Sequence, residues 1–258
     1  MKASPCMEFL RKVADVIGLR SALPLKGPYG SWAEARAAST GYDDRRILET
    51  VAASTRKVIA GERPYERDGV CFDEVHHHWA LLASLQRIAL AEGTLNVLDF
   101  GGGLGSTYNY VSRLWPGPLR WSIVEQPHFA EAGSAAWAGH AGPQFFHSFD
   151  DCLKTSVPNA CLLSGVLQYL EDPWTLVKQI VASGIKWVLI DRVPVVDGPS
   201  RIFVQVVPPS IYRASYPLRM LNQDELFAAF GPFETVYDFA SPFDPRTPRF
   251  RGFLLQRK

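Results

Sequence analysis

The stretch VLDFGGGLGS, Val97 to Ser106, constrains this chain more than any other, because it reads as a buried strand running straight into a glycine turn headed by an acid. The apolar run ends at Asp99, and glycines follow at the alternating positions 101, 103 and 105. Glycine has no Cβ and tolerates positive φ, so such a loop lets the backbone come close to a ligand. A lone glycine loop is equally well explained as a tight strand-to-helix turn. What favours a ligand here is a second acid. Glu125 closes the next apolar segment, LRWSIVEQ, about 20 residues on, at the position from which an acid reaches a ribose in nucleoside-binding folds.

The kind of nucleoside follows from what the loop lacks. The dinucleotide pattern G-x-G-x-x-G fails, since its third glycine falls on Ser106 counted from Gly101 and on Tyr108 counted from Gly103. No Lys-Ser or Lys-Thr closes the segment, so it is not a phosphate loop either. What remains is D-x-G-x-G-x-G. Its carboxylate repels a phosphate and suits a cation, such as the methionyl ammonium of S-adenosylmethionine. S-adenosylmethionine is therefore the expected cofactor, with Asp99, Gly101, Gly103 and Gly105 around it and Glu125 on the ribose hydroxyls.

Composition admits this reading and narrows the rest. A chain of 258 residues, 47% hydrophobic and 21% charged, can bury a full core as one large domain or as a domain with an appendage. A net charge of +1 gives no electrostatic case for nucleic acid. Cys6, Cys71, Cys152 and Cys161 show neither C-x-x-C spacing nor disulfide density, which suits a reducing cytoplasm. No apolar run approaches the ~18 residues that cross a bilayer, and the N-terminus lacks a signal-peptide core. A soluble, cytoplasmic protein is expected. Its oligomeric state is not set by the sequence, and the stripe Phe9, Leu10, Val13, Val16 and Ile17 leaves room for peripheral membrane contact.

Periodicity divides the chain near residue 92. Residues 1–92 read as a helical N-terminal cap with an aromatic loop: a helix over the Phe9 stripe, a second from about Asp44 to Ala60, and a third from Asp73 to Glu92. Between the first two lies GPYGSWAEARAASTGYD, Gly27 to Asp43, a composition that suits either an ordered lid or a connector. Residues 93–258 read as the nucleoside-binding domain. Strands are predicted at 95–100, 119–125, 143–147, 160–164, 186–191, 233–239 and 250–256, with helices after 105, 126, 165, 173 and 222. This is the cadence of a doubly wound, mostly parallel sheet. The last two strands have no helix between them and form an antiparallel C-terminal hairpin.

In such a sheet ligands sit beyond the carboxyl ends of the strands. Those ends deliver Gln126 beside Glu125, Asp150 after the third strand, and Ser164 and Gly165 after the fourth, which complete the candidate cofactor set. Asp150 and Asp151 are also well placed as helix caps. The fifth end delivers Asp191 and Arg192.

At this point the chain resembles a known family. GPYGSWAEARAASTGYD, VLDFGGGLGSTY, WSIVEQPHF, LLSGVLQYLEDP, IDRVPV and VQVVPPSIYRASYP are similar to segments of a bacterial family of class I S-adenosylmethionine-dependent methyltransferases, often encoded among genes for surface-polysaccharide or O-antigen assembly. The resemblance runs from about Gly27 to the C-terminus. It implies the Rossmann-like class I fold, the methyl donor on Asp99, Gly101, Gly103, Gly105 and Glu125, and a sugar or glycan precursor as acceptor. The three-glycine run at 101–103 departs from relatives that carry a serine there.

A sugar hydroxyl is a weak nucleophile and benefits from a general base within hydrogen-bond reach. Candidate bases are Asp191, at a strand's carboxyl end, and His77 and His78 from the run His76–His78; Glu171 and Asp172 are explained by helix initiation before Pro173. Consecutive residues of a helix point about 100° apart, so three adjacent histidines on one would not all face one site, and no metal centre is expected. Asp191 has its own plainer explanation, an ion pair with Arg192 or a cap. Candidate acceptor contacts are Tyr29, Trp32, Tyr42 and Arg192, with Tyr212 and Tyr216 from an insertion over residues 193–221 expected to face the acceptor. Base methylation of nucleic acid is disfavoured, because the turn after the fourth strand reads Ser164-Gly165-Val166-Leu167 and lacks an N-P-P-aromatic pocket. A small-molecule enzyme of secondary metabolism and a non-catalytic scaffold of glycan assembly remain as alternatives.

Overall fold

The apolar runs and their glycine and proline boundaries become the elements of a computed structural model that describes residues 24–41, 45–155, 157–209, 211, 213–241 and 249–258. The Phe9–Ile17 stripe, Tyr42 and Tyr212 lie outside the described residues. The described chain opens with strand β1 (Leu25–Tyr29) and helices α1 (Trp32–Ala37) and α2 (Arg45–Ile59). A small hairpin follows, β2 (Tyr65–Arg67) and β3 (Val70–Phe72), in which Arg67 pairs with Val70. Its two loop residues, Asp68 and Gly69, have φ of 52° and 82°. Positive φ at both central positions is what a two-residue turn needs to match the twist of its strands.

Helix α3 (Trp79–Glu92) begins six residues later than its apolar pattern suggests. The hairpin occupies Tyr65–Phe72, and the three histidines precede the helix instead of riding on it. His78 is the N-cap, its ring accepting from the Leu81 amide, and Gly93 closes the helix at φ 73°.

From there strand and helix alternate: β4 (Leu95–Phe100), α4 (Ser106–Ser112), β5 (Leu119–Val124), α5 (Pro127–Ala136), β6 (Gln144–Phe146), α6 (Phe149–Thr155), β7 (Ala160–Ser164), a 3-10 turn (Leu167–Tyr169), α7 (Pro173–Ala182) and β8 (Trp187–Val196). The chain ends with β9 (Arg201–Val206), β10 (Ser215–Asn222), α8 (Gln223–Ala229), β11 (Phe233–Ala240) and β12 (Arg249–Arg257). Residues 193–221, expected as an insertion, thus include strands β9 and β10, and helix α6 is an element the periodicity did not mark.

Strands run parallel in the order β6-β5-β4-β7-β8, and β12 then lies antiparallel against β8 with β11 antiparallel to β12. This is the doubly wound sheet with its antiparallel C-terminal hairpin. The order reverses at β4, whose neighbours are β5 on one side and β7 on the other, so the carboxyl ends of β4 and β7 border the switch-point crevice. Strand β8 outruns β7: its first half pairs with Ala160–Ser164, while Val195 and Val196 pair with Leu221 and Asn222 of β10. Through β10 and β9 the sheet continues antiparallel to β1, so Leu25–Tyr29 is an edge strand of the main sheet.

Alternate residues of each strand face opposite sides, and each side has its own core. Leu98, Leu163, Val188 and Ile190 pack with Leu176, Val177 and Ile180 of α7 and with Leu226 and Phe230. Val97, Ile123, Leu162 and Leu189 pack with Leu81, Leu85 and Ile88 of α3 and with Tyr110 and Val111 of α4. Each fully buried leucine or isoleucine contributes about 1.5–3 kcal/mol relative to exposure. The sheet between these two layers is therefore a rigid frame for the strand ends.

Candidate active site

A cleft of about 1020 Å³ opens over those strand ends. Its floor is the loop between β4 and α4, where Gly101, Gly103 and Gly105 all have positive φ, at 70°, 58° and 94°. The Gly101 amide donates to the Val124 carbonyl at 2.9 Å, which ties the loop to β5. Gly102 has no unusual φ but is required by space: a Cβ there would lie 2.6 Å from the Asp99 carboxylate. The middle glycine of the run is thus a close-approach residue that glycine alternation did not single out.

Asp99 is 1% exposed and its Oδ2 accepts from Trp121 Nε1 at 3.1 Å. Burial pushes its carboxyl up to about 7 against the Trp121 hydrogen bond, with the Glu125 charge adding to the rise. Glu125 holds the loop from the neighbouring strand: Oε1 accepts from the Gly103 amide at 3.1 Å and Oε2 from the Gln126 amide at 2.9 Å. Burial raises the pKa of Glu125 too, opposed by those two amides. Gln126, Asp150, Ser164 and Gly165 also line the cleft. Asp151 does not; Ser148 Oγ donates to its Oδ2 at 2.7 Å and accepts from its amide at 3.1 Å, a helix cap in form.

Asp191 ends the β7-paired half of β8 and is 1% exposed. Its Oδ2 accepts from Ser164 Oγ at 2.9 Å and lies 3.1 Å from His78 Nε2, while its buried Oδ1 has no hydrogen-bond partner among the described residues. Burial pushes the Asp191 pKa up, but His78, Arg192 and Ser164 outweigh it, and the carboxyl lies below its ordinary value. His78 also accepts at Nδ1 from the Leu81 amide at 3.3 Å, so the second nitrogen faces Asp191 as a donor. His77 is not brought into the cleft: it is exposed and stacks on Trp79 with ring centroids 4.5 Å apart.

The remaining sequence candidates separate in the same way. Trp32, Arg192 and Tyr216 line the cleft, with the Arg219 guanidinium 5.4 Å over the Trp32 ring; Tyr29, on β1, does not line it. Gln205, Val207 and Pro208, from β9 and the chain after it, line the cleft as well. Sequence reading missed Gln168 and Tyr169, whose Oη donates to Gln205 Oε1 at 2.8 Å, and the whole Tyr65-Arg67-Asp68 wall. The Asp-Gly pair in YERDGVCF was the available signal for that hairpin. Among the described residues no cluster of three or more His, Cys, Asp or Glu is set to hold a metal, and no helix is long and apolar enough to cross a membrane.

No family model matches the chain, and no curated protein matches it. Among solved structures it is similar to the N-terminal domain of EvdMO1 in the presence of S-adenosylhomocysteine and D-fucose, at 16% identity over 83% of this chain and 97% of that one, with a TM-score of 0.47. It is similar to the 1,6-didemethyltoxoflavin-N1-methyltransferase of Burkholderia thailandensis at 17% identity, over 91% and 94% of the two chains, with a TM-score of 0.48. It is also similar to CalS10, an amino pentose methyltransferase from Micromonospora echinaspora, at 15% identity over 72% and 100%, with a TM-score of 0.47. All three scores lie below 0.5, so the chemistry of the site rests on this chain's own residues.

Proposed function

We propose that this chain is an S-adenosylmethionine-dependent methyltransferase whose acceptor is a hydroxyl of a sugar or glycan precursor in surface-polysaccharide biosynthesis. The observation that carries the donor half is the pairing of Glu125 with the Gly103 amide at the switch point, beside a buried Asp99. The residues present fit that donor. Among the described residues nothing lies within 4 Å of the Cβ position of Gly103, so the loop leaves room for a nucleoside against its backbone. Each Glu125 oxygen accepts one backbone amide, and a carboxylate has about four acceptor positions, so a ribose diol can still bind. Asp99 supplies the counter-charge for an ammonium. Phe149 and Asp150 line the cleft and supply a ring to cover an adenine and an acceptor for its amino group.

A bound donor supplies a methyl group on a positively charged sulfur, a good electrophile that needs only an aligned nucleophile. Orientation is then the task of the cleft walls. The ionised Asp191 carboxylate, which lines the cleft, takes the proton of an acceptor hydroxyl, with His78 Nε2 3.1 Å from its Oδ2. Trp32 and Tyr216 offer flat apolar surfaces of the kind on which sugars stack.

Calorimetric titration with S-adenosylmethionine tests the donor half: the wild type binds, and Asp99→Ala binds at least tenfold more weakly, about 1.4 kcal/mol. No binding by the wild type, or undiminished binding by Asp99→Ala, overturns it. Incubation with methyl-labelled donor and a panel of nucleotide sugars tests the acceptor half. Transfer to small aromatic metabolites alone, or to nothing across a broad panel, replaces it with the metabolite enzyme or the scaffold.

A further inference from the structure

Hairpin β2–β3 and strand β8 approach each other across the cleft, and each presents an arginine there. Arg67 is 7% exposed, and the Arg192 side chain is 24% exposed; both line the cleft. The next hairpin residue, Asp68, reaches over to Arg192, Oδ2 to Nη1 at 3.8 Å, so the hairpin tip and the strand are in register.

Arg192 is held there at a cost. Its φ is 54°, in a region that disfavours any residue with a Cβ by about 1–2 kcal/mol. The cause is a bulge: Arg251 of β12 pairs with Val193 and Phe253 with Ile190, so Asp191 and Arg192 together oppose Gly252 alone. Gln168 Nε2 fixes the bulged carbonyl at 3.1 Å, and the guanidinium lies over Ser164 and Gly165, Nε donating to Ser164 Oγ at 3.2 Å and Nη2 to the Ser164 carbonyl at 3.3 Å. A Cβ on Gly165 would stand 3.3 Å from this guanidinium. A strained backbone of this kind persists where its surroundings fix it, and such positions cluster at ligand clamps.

We propose that Arg67 and Arg192 form a two-sided clamp for an oxyanion, a carboxylate or phosphate, on the cleft wall between the hairpin and the β8 bulge. Guanidinium groups present paired N–H donors that match such anions. The charges around the pair are mixed: burial lowers the Arg192 pKa, but Asp68, Asp191, Tyr65 and Tyr169 outweigh burial and raise it. Burial lowers the Arg67 pKa, Tyr65 and Asp68 oppose the fall, and the nearby Arg192 charge adds to it. Asp68 answers only in part, because its side chain is 68% exposed and screened. Asp191 Oδ2 lies 3.8 Å from Arg192 Nε but is shared with His78 and Ser164, and Glu66, on the other face of β2, has its carboxyl pushed up to about 7 by burial and so carries less than a full charge. An anion between the guanidiniums removes their repulsion.

Two sources share this chemistry: the amino-acid carboxylate of the methyl donor, and a phosphate or carboxylate on the acceptor. Only the first rests on the function proposed above. The test measures binding of three probes to the full chain: S-adenosylhomocysteine, its decarboxylated analogue, which lacks only the carboxylate, and inorganic pyrophosphate. Loss of one charge-assisted pair weakens binding by about ten- to a hundredfold. If the anion is the donor's, Arg67→Gln and Arg192→Gln lose that factor for S-adenosylhomocysteine and keep wild-type affinity for the decarboxylated analogue, which also shows that the variants are folded. If it belongs to the acceptor, both nucleoside probes bind the variants normally and pyrophosphate binding is lost. Arg67→Lys, keeping the charge, recovers part of the loss in either case. Wild type that binds pyrophosphate and neither nucleoside keeps the clamp and removes the methyl-donor reading. Equal losses for all three probes, unchanged affinity for all three, or a wild type indifferent to both the carboxylate and pyrophosphate overturns the clamp.

Discussion

Replacing Gly101 and Gly103 separately by alanine should split the loop's two roles, stability and ligand approach. Both residues have positive φ, so each variant carries the left-handed penalty of about 1–2 kcal/mol. Their surroundings differ. At 101 the new methyl lies 2.7 Å from Val166 Cγ2 and 3.3 Å from its Cβ, and forcing an extra carbon into a packed contact costs a further ~1–3 kcal/mol. At 103 it meets nothing within 4 Å among the described residues and projects into the space the proposed donor would occupy. Gly101→Ala should therefore lose about 2–5 kcal/mol, or ~5–20 °C in Tm at 2–4 °C per kcal/mol for a chain of this size. Gly103→Ala should lose only the backbone penalty and yet bind S-adenosylhomocysteine at least tenfold more weakly. Denaturant melts and calorimetry on the same samples provide both numbers. Adding Val166→Ala to Gly101→Ala should recover at least ~1 kcal/mol as a coupling energy in the double-mutant cycle, since the contact is with that side chain. Equal stability losses at the two positions, or zero coupling with Val166, would refute the reasoning.

Glu66 sets a pH dependence of stability. Its carboxyl is raised from 4.5 to about 7 in the folded chain, so the native state holds a proton that the unfolded chain has released, and the stability this group contributes is complete below about 4.5 and lost as pH rises through about 7. The shift corresponds to roughly 3 kcal/mol; Glu66→Gln should flatten that part of the stability profile in urea melts between pH 5 and 8, and an unchanged slope would remove Glu66 as its source. Asp99 gives the complementary effect on binding: with its carboxyl at about 7, affinity for S-adenosylmethionine should rise toward pH 7 and level off above it, and Asp99→Asn should show no such rise. Asp191→Asn keeps the side chain's shape but not its charge, and should lower methyl transfer by about a hundredfold or more with donor affinity nearly unchanged, measured by labelled-donor turnover; retained turnover would exclude it as the proton acceptor. Arg192→Gly, comfortable at φ 54°, should hold Tm close to wild type, whereas the β-branched Arg192→Val should lose several degrees; the reverse order would show that the bulge is not the source of strain.

The sheet was legible because its strands are short apolar runs with breakers at both ends. Leu95–Phe100 stops at the glycine turn, and Ala160–Ser164 at Gly165, so local pattern and global order agree. The glycine-loop side of the cleft was legible for the same reason: Asp99, Glu125 and the glycines sit at strand ends that periodicity locates. The hairpin was lost to a competing period. The apolar spacing of α3 continues backward into the histidine run, and only the Asp-Gly turn, with φ of 52° and 82°, says that the chain must fold back there. Strands β9 and β10 were missed because RIFVQV and SYPLRMLN carry arginine and proline in short, partly exposed runs, which weakens the alternation that marks a strand.

The β8 side of the cleft was illegible for a deeper reason, visible at Asp191 and Arg192. Nothing in IDRVPV distinguishes a bulge from a regular strand, since the extra residue is defined by its partner: Gly252, sixty positions on, faces two residues of β8. Glycine at 252 is itself imposed from the other side, where a Cβ would come within 2.2 Å of the Phe239 ring. The consequence reaches the site through side-chain parity. Along a regular strand neighbours point to opposite faces, and one added residue shifts that alternation for everything beyond it. Asp191 is the last residue of β8 paired with β7, and β10 takes over that edge only at Val195. In the gap between them the bulge turns Asp191 and Arg192 toward one cleft and returns Val193 and Val195 to the core. The charged pair that the proposed chemistry needs is thus placed by a pairing between distant strands, and a reading confined to local windows finds the residues without their geometry.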